Sequence, residues 1–277
     1  MSQYILKIDC SDKKGLIYKI ADVIYKNDLN IEKNSEFVDD ENQKFFFRAR
    51  INGNVDTVVL EKELLSVLPD DAHVYLSARR AKNIVLMATK ESHCLGDILL
   101  KNHSGELFGN IQAVIANHDT LRDLTEKFDI PFFYVSAENL DRASHEKKIL
   151  TILEEFHPDL IVLAKYMRIL SSDFVGHYKN KILNIHHSFL PAFIGANPYK
   201  QAHQRGVKII GATAHFVNDN LDEGPIIAQD VIAVNHEYSW KDMQHAGRNV
   251  EKVVLSNALE LALEDRIFIY GNKTIIF

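Results

Sequence analysis

The chain has 277 residues, enough for two domains with buried cores, and its 46% hydrophobic and 25% charged content is that of an ordinary globular protein. A formal net charge of −6 argues against a nucleic-acid-coating role, although a local basic patch stays open. No run of about 18 apolar residues occurs, so no membrane partner is expected. The opening MSQYILKIDC lacks the layout of a signal peptide.

Cys10 and Cys94 lie far apart and make no metal-ligand spacing. The expectation is a cytoplasmic protein without disulfides or metal. Residues 4–10 alternate as a strand does. The turn Ser11-Asp12-Lys13-Lys14-Gly15 offers side chains that can cap a helix, and Leu16, Ile17, Ile20, Ala21, Val23 and Ile24 then recur at helical spacing. Residues 30–38 and 43–51 read as a hairpin turning at Asp39-Asp40-Glu41-Asn42. In its second strand Phe45, Phe47, Ala49 and Ile51 face one way, with Lys44, Phe46, Arg48 and Arg50 opposite. A helix over 55–68 and a strand over 73–77 complete a ferredoxin-like α+β domain, placed at 1–80, with both helices on one face of an antiparallel sheet. This order, with its short Asp- and Gly-containing loop before the first helix, resembles an ACT domain. The resemblance implies an effector, usually an amino acid, bound where two copies pair. A plain interaction domain without ligand fits the same residues. Exposed sheet edges lead in either case to the expectation of a homo-oligomer.

Residues 78–82, Ala-Arg-Arg-Ala-Lys, read as a basic linker into a second domain at 81–277. There the continuous apolar runs 84–88, 111–116, 132–135 and 160–163 alternate with helices, the longest at 142–156. Such alternation predicts a doubly wound, mostly parallel α/β sheet. A further strand over 182–185 breaks into His186-His187-Ser188. A loop and helix follow, then an apolar strand over 207–217 and the acidic turn Asn218-Asp219-Asn220-Leu221-Asp222-Glu223-Gly224. An amphipathic helix over 240–263 and a hairpin over 266–277, turning at Gly271-Asn272, finish the chain.

Ligands of parallel sheets bind beyond the carboxyl ends of strands, which singles out Asn184, His186 and Asp222. Splitting or transferring an acyl group held on nitrogen needs a neutral donor to the developing oxyanion, a group exchanging protons near neutrality, and a carboxylate to orient or charge it. An amide, an imidazole and a carboxylate supply these. Against this, an Asn near a strand end is often a turn former and an Asp before Glu-Gly a loop residue. His186 and His187 could suggest a metal, but adjacent side chains at a strand end point to opposite faces.

Asn184-Ile185-His186 with Ser188 and Leu190-Pro191, then His215-Phe216-Val217, then Leu221-Asp222-x-Gly-Pro resemble the formyltransferases that use formyltetrahydrofolate. The resemblance implies Asn184, His186 and Asp222 as the catalytic trio and a folate site formed by Met167, Arg168, Ile169, Leu170, Asn218, Asp219, Asn220 and Leu221, with His215 bordering it. It implies no cofactor beyond the folate substrate. The join of an ACT-like domain to this core, Thr89-Lys90-Glu91-Ser92-His93-Cys94-Leu95-Gly96, and His187 beside the pair are similar to the formyltetrahydrofolate deformylase branch. That branch hydrolyses 10-formyltetrahydrofolate to formate and tetrahydrofolate. The bulky, acidic loop 89–94 is a poor phosphate cradle, which disfavours glycinamide ribonucleotide as formyl acceptor. An amine formyltransferase and a non-enzymatic folate sensor are the competing readings. Phe189, Phe193 and Tyr199 are candidate pocket walls or ordinary core aromatics.

Overall fold

A computed structural model describes residues 2–193 and 197–277. The chain divides into two compact units, one ending at Arg80 and also holding Phe277, the other spanning Ala81–Ile276.

The first unit runs β1 (Ser2–Ser11), α1 (Leu16–Lys26), β2 (Asn30–Asp39), β3 (Lys44–Gly53), α2 (Thr57–Val67) and β4 (His73–Ala78). Its four strands pair antiparallel in the order β2-β3-β1-β4. Alternation on β1 and β3 sends Leu6, Ile8, Phe45, Phe47, Ala49 and Ile51 into one core with Leu16 and Ile20 of α1 and Leu60 and Leu64 of α2. This is the ferredoxin-like arrangement expected from the element order. Two local details differ. Ser11 and Asp12 do not cap α1, whose N-cap is Gly15 at φ +88°; the Ser11 amide and hydroxyl instead donate to Asp71. Phe46, on the face predicted to carry Lys and Arg, is buried and stacks on Phe37 with centroids 6.3 Å apart.

The second unit continues with β5 (Lys82–Ala88), α3 (His93–His103), β6 (Gly109–Ala116), α4 (Arg122–Glu126), β7 (Phe132–Tyr134), α5 (Arg142–Phe156), β8 (Leu160–Leu163), α6 (Ser172–His177), β9 (Ile182–His186), α7 (Pro198–Arg205), β10 (Ile209–Phe216), β11 (Ile226–Ala233), α8 (Trp240–Leu263), β12 (Ile267–Tyr270) and β13 (Lys273–Ile276). Ala78 and Lys82 belong to strands, so the segment read as a linker shrinks to 79–81. The sheet order is β11-β10-β9-β8-β5-β6-β7. From β7 to β9 neighbours are parallel; β10 and β11 are antiparallel to their neighbours. Because β5 lies between β8 and β6, the strand order reverses there and opens a crevice at the carboxyl edge.

Apolar side chains fill both faces. Leu86, Val162, Leu183, Ala214 and Leu255 of α8 lie in one cluster, and Met87, Ile161, Ile182, Ile149 of α5 and Phe174 of α6 in the other. Helix α8 starts on a capping box in which Ser239 and Asp242 satisfy each other's backbone N–H groups. Strand β11 had not been anticipated. Its polar Gln229 and Asp230 break the apolar alternation, which an edge strand tolerates because one side faces solvent.

Candidate active site

Strand parity puts Ile182, Asn184 and His186 on one face of β9, the face covered by α5 and α6. In the antiparallel register of β9 and β10, His215 lies opposite Asn184 and Thr213 opposite His186. The sheet, expected to be mostly parallel, is antiparallel at this pair. Strand β10 runs downward past β9, and Phe216 pairs with Leu183. Asp222 reaches His186 because the connection from β10 to β11 folds back over the sheet face. That loop turns on Asn220, whose N–H donates to Asn218 Oδ1 at 3.1 Å, and on Asp222 itself, in the left-handed region at φ +57°.

His186 Nδ1 lies 3.2 Å from Asp222 Oδ1, with both side chains under a tenth exposed. If Nδ1–H donates to the carboxylate, Nε2 is left for chemistry. Nε2 is buried and has no hydrogen-bond partner among the described residues. Burial alone would raise the Asp222 carboxyl, but the hydrogen bond and charge of His186 outweigh it and hold the carboxyl below its ordinary value. His215 is kept neutral by burial. Its Nδ1–H donates to the Phe216 carbonyl at 2.9 Å, so Nε2 accepts from Asn184 Nδ2 at 3.2 Å. This fixes the amide orientation and leaves a second Asn184 N–H for another acceptor.

A cavity of about 330 Å³ opens beside these groups, within the range of small-molecule sites. Asn184, His186, Asp222, Met167, Arg168, Ile169, Leu170, His215, Asn218, Asp219, Asn220 and Leu221 all border it. Met167, Ile169 and Leu221 are each half exposed, an apolar lining open to a flat ring. The 165–170 wall is tied at both ends: the Met167 N–H donates to Thr89 Oγ1 at 2.9 Å, and the Ser171 N–H to the buried Glu146 at 2.9 Å. Phe189, Phe193 and Tyr199 do not border this cavity. They surround a much smaller one of about 20 Å³ on the far side of His187. His187 also departs from the expectation of opposed side chains. Strand β9 ends at His186, the alternation stops, and the two rings lie 5.3 Å apart. Burial first, and the Lys165 charge second, push His187 down to about 3, so its ring is neutral.

Sequence reasoning missed Lys165, which lines the cavity, and the buried cluster behind it. The Lys165 ammonium is 3.2 Å from Glu251, which also meets His93 Nε2 at 2.8 Å and accepts from the Tyr199 hydroxyl at 2.6 Å. Burial would raise Glu251, yet His93, Lys165 and Tyr199 together hold it at about 2. The stabilisation is therefore fully present above its ordinary 4.5 and is lost as pH falls toward about 2. His93, Cys94 and Glu251 lie close enough to share a metal ion. Lys165 already supplies the cation, however, and burial raises the Cys94 thiol away from the thiolate a metal needs. Glu251→Gln, which strands the buried ammonium, is expected to cost ~3–5 kcal/mol of stability, read from denaturant unfolding. A change of under ~1 kcal/mol would mean that the ion pair is solvated as a surface pair is.

The loop 89–94 is occupied by the protein's own charges: Glu91 pairs with Arg248 at 3.2 Å and lies 3.5 Å from His93. An anion there would meet a carboxylate.

Residues 82–259 match the formyl transferase family. The chain is 56% identical over 272 residues to a formyltetrahydrofolate deformylase of Haemophilus influenzae, covering 98% of both chains. The crystal structure of a formyltetrahydrofolate deformylase from Pseudomonas syringae superposes with a TM-score of 0.95 at 38% identity, over 100% of this chain and 95% of that one. A glycinamide ribonucleotide transformylase from Symbiobacterium toebii is similar over 73% of this chain and 97% of its own, at 28% identity and a TM-score of 0.69. Relatives matched from end to end show that this chain belongs to the formyltetrahydrofolate deformylase family.

Proposed function

We propose that this protein hydrolyses 10-formyltetrahydrofolate to formate and tetrahydrofolate, with Asn184, His186 and Asp222 as its catalytic groups. The observation that carries the reading is the buried Nε2 of His186, without a hydrogen-bond partner among the described residues, on a ring held by Asp222 beside a cavity of about 330 Å³. Water attacks the formyl carbon and gives its proton to Nε2, and the carbonyl electron pair moves onto oxygen. The free N–H of Asn184 donates to that oxyanion. The imidazolium, stabilised by Asp222, then returns the proton to the folate nitrogen as the C–N bond breaks. The apolar side chains of Met167, Ile169 and Leu221 pack against the pterin.

The test is formate release with 10-formyltetrahydrofolate as sole substrate. Turnover without any amine supports hydrolysis. Product formed only when an amine is present would reassign the protein as a formyltransferase, and folate binding without product would make it a sensor. Formate so released feeds reactions that consume one-carbon units, purine synthesis among them. No helix among the described residues is long and apolar enough to cross a membrane, which fits action on a cytoplasmic metabolite.

The N-terminal unit, an ACT-like fold, is proposed to bind an amino-acid effector and to pair with a second copy. A hydrolase left unregulated would drain the formyl-folate pool. Rates that ignore every added amino acid would remove the effector, and a monomer by sedimentation would remove the pairing.

A further inference from the structure

Lys165 occupies a position that a lysine has no backbone reason to occupy. It stands just past the carboxyl end of β8 with φ +62°, in the left-handed region that costs a side-chain-bearing residue on the order of 1–2 kcal/mol. Its residue is 4% exposed. A buried ion pair such as Lys165–Glu251 is a weak source of stability, since desolvation cancels most of the attraction. Strain and buried charge at a cavity wall are therefore to be explained by what the cavity does.

The two sides of the reacting centre differ in size and chemistry. Toward Met167, Ile169 and Leu221 the cavity is wide and apolar. Beyond His187 lies the separate space of about 20 Å³ next to Tyr199, little more than one water molecule needs. His187 borders both spaces, and its ring packs against Tyr199 with centroids 5.9 Å apart. Tyr199 is fixed by Glu251, and Glu251 by Lys165 and His93. One connected set of buried groups thus backs the wall between the two spaces, and Lys165 puts a fixed ammonium in the wall of the larger one.

We propose that Lys165, anchored by Glu251, is the specificity-determining residue that makes water the formyl acceptor and rejects amines; this rests on the hydrolytic reading above. The chemistry of the two attacks explains the choice. Water loses its proton to His186 as its C–O bond forms, so the intermediate carries one negative oxygen and no positive charge beside it. An amine forms a C–N bond and becomes positively charged until it loses a proton. The buried pair is a dipole with its ammonium end at the cavity wall and its carboxylate behind, which at low dielectric favours the first intermediate over the second. An amine that arrives protonated is repelled before it reacts at all.

The experiment measures product partition with 10-formyltetrahydrofolate and glycinamide as the added amine, following formate and N-formylglycinamide together. Wild type is expected to give formate alone. Lys165→Gly relieves the positive φ, opens space and removes the charge. The double variant Lys165→Met with Glu251→Gln removes both charges without leaving either unpaired and keeps most of the bulk. In at least one of these, folded by circular dichroism, the ratio of formylated amine to formate is expected to rise at least ~10-fold while hydrolysis falls by ~10-fold, each the equivalent of about 1.4 kcal/mol. Both variants shifting would assign the choice to charge, and Lys165→Gly alone to the space that the Lys165 side chain fills. Formate as sole product in both variants, whether hydrolysis persists or falls, overturns the proposal. Wild type failing to release formate would overturn the hydrolytic reading instead.

Discussion

Replacing His186 with alanine is expected to lower kcat for formate release by ~10²–10⁴ while KM changes little. The asymmetry follows from where the ring sits. His186 is buried on the β9 face, and its Nε2 meets no protein group among the described residues, so its removal takes away proton transfer. The wall at 165–170, proposed to bind the folate, is held by hydrogen bonds to Thr89 and Glu146 rather than to His186, so ground-state binding is expected to survive. A secondary effect marks the change. Without His186 the Asp222 carboxylate loses that hydrogen bond and charge, the unprotonated Nε2 of His215 offers it no proton, and burial then raises its pKa. In wild type the depressed carboxyl stabilises the fold fully above its ordinary 3.8, and that stabilisation is lost as pH falls through the folded value. His186→Ala should therefore lose its acid stability at higher pH than wild type does. A variant that keeps more than half the wild-type rate would remove His186 from the proposed chemistry.

How much of this could be read from residues alone depended on the range of the interaction. Asn184 and His186 share a face because strand parity is local, and parity held to the last residue of β9. One residue further it failed: His187 lies past the strand, so its ring turns beside that of His186. Asp222 was legible as a carboxylate in the acidic turn after a strand and again by motif resemblance, but the route by which the chain carries it to His186 was not. An apolar run does not record its direction, and nothing in 207–217 distinguishes a parallel strand from the antiparallel β10. Lys165 and Glu251 were invisible for another reason. Each looks like one charge beside apolar neighbours, as on a solvated helix face or in a loop, and only the packing of α8 against the sheet brings them together. Buried charge pairs between distant segments leave no periodic trace in a sequence.

Gly224→Ala tests whether the folded-back loop, rather than the Asp222 side chain alone, makes the site. A Cβ on Gly224 would fall 1.7 Å from the Phe216 carbonyl oxygen and 2.9 Å from its carbon, both rigid backbone of β10. The loop must move, and the Phe216 N–H to Pro225 carbonyl bond of 3.0 Å must lengthen or break. The expected result is a loss of ~1–3 kcal/mol in stability. A loss of ~10² in kcat is expected with it, since a displacement of about 1 Å at a reacting group can cost that much. Asp222→Asn is the control. Asn tolerates the left-handed backbone at 222 and keeps the side-chain shape, so it removes the charge without moving the chain. Hydrogen exchange separates the two variants: amides of 216–226 should lose protection in Gly224→Ala and keep it in Asp222→Asn. If Gly224→Ala retained wild-type turnover, the return of the β10–β11 loop over the sheet face would not be what delivers Asp222 to His186. The carboxylate would then have to reach the imidazole from a loop free to re-form, and the antiparallel turn of the chain at β10 would matter only for the fold.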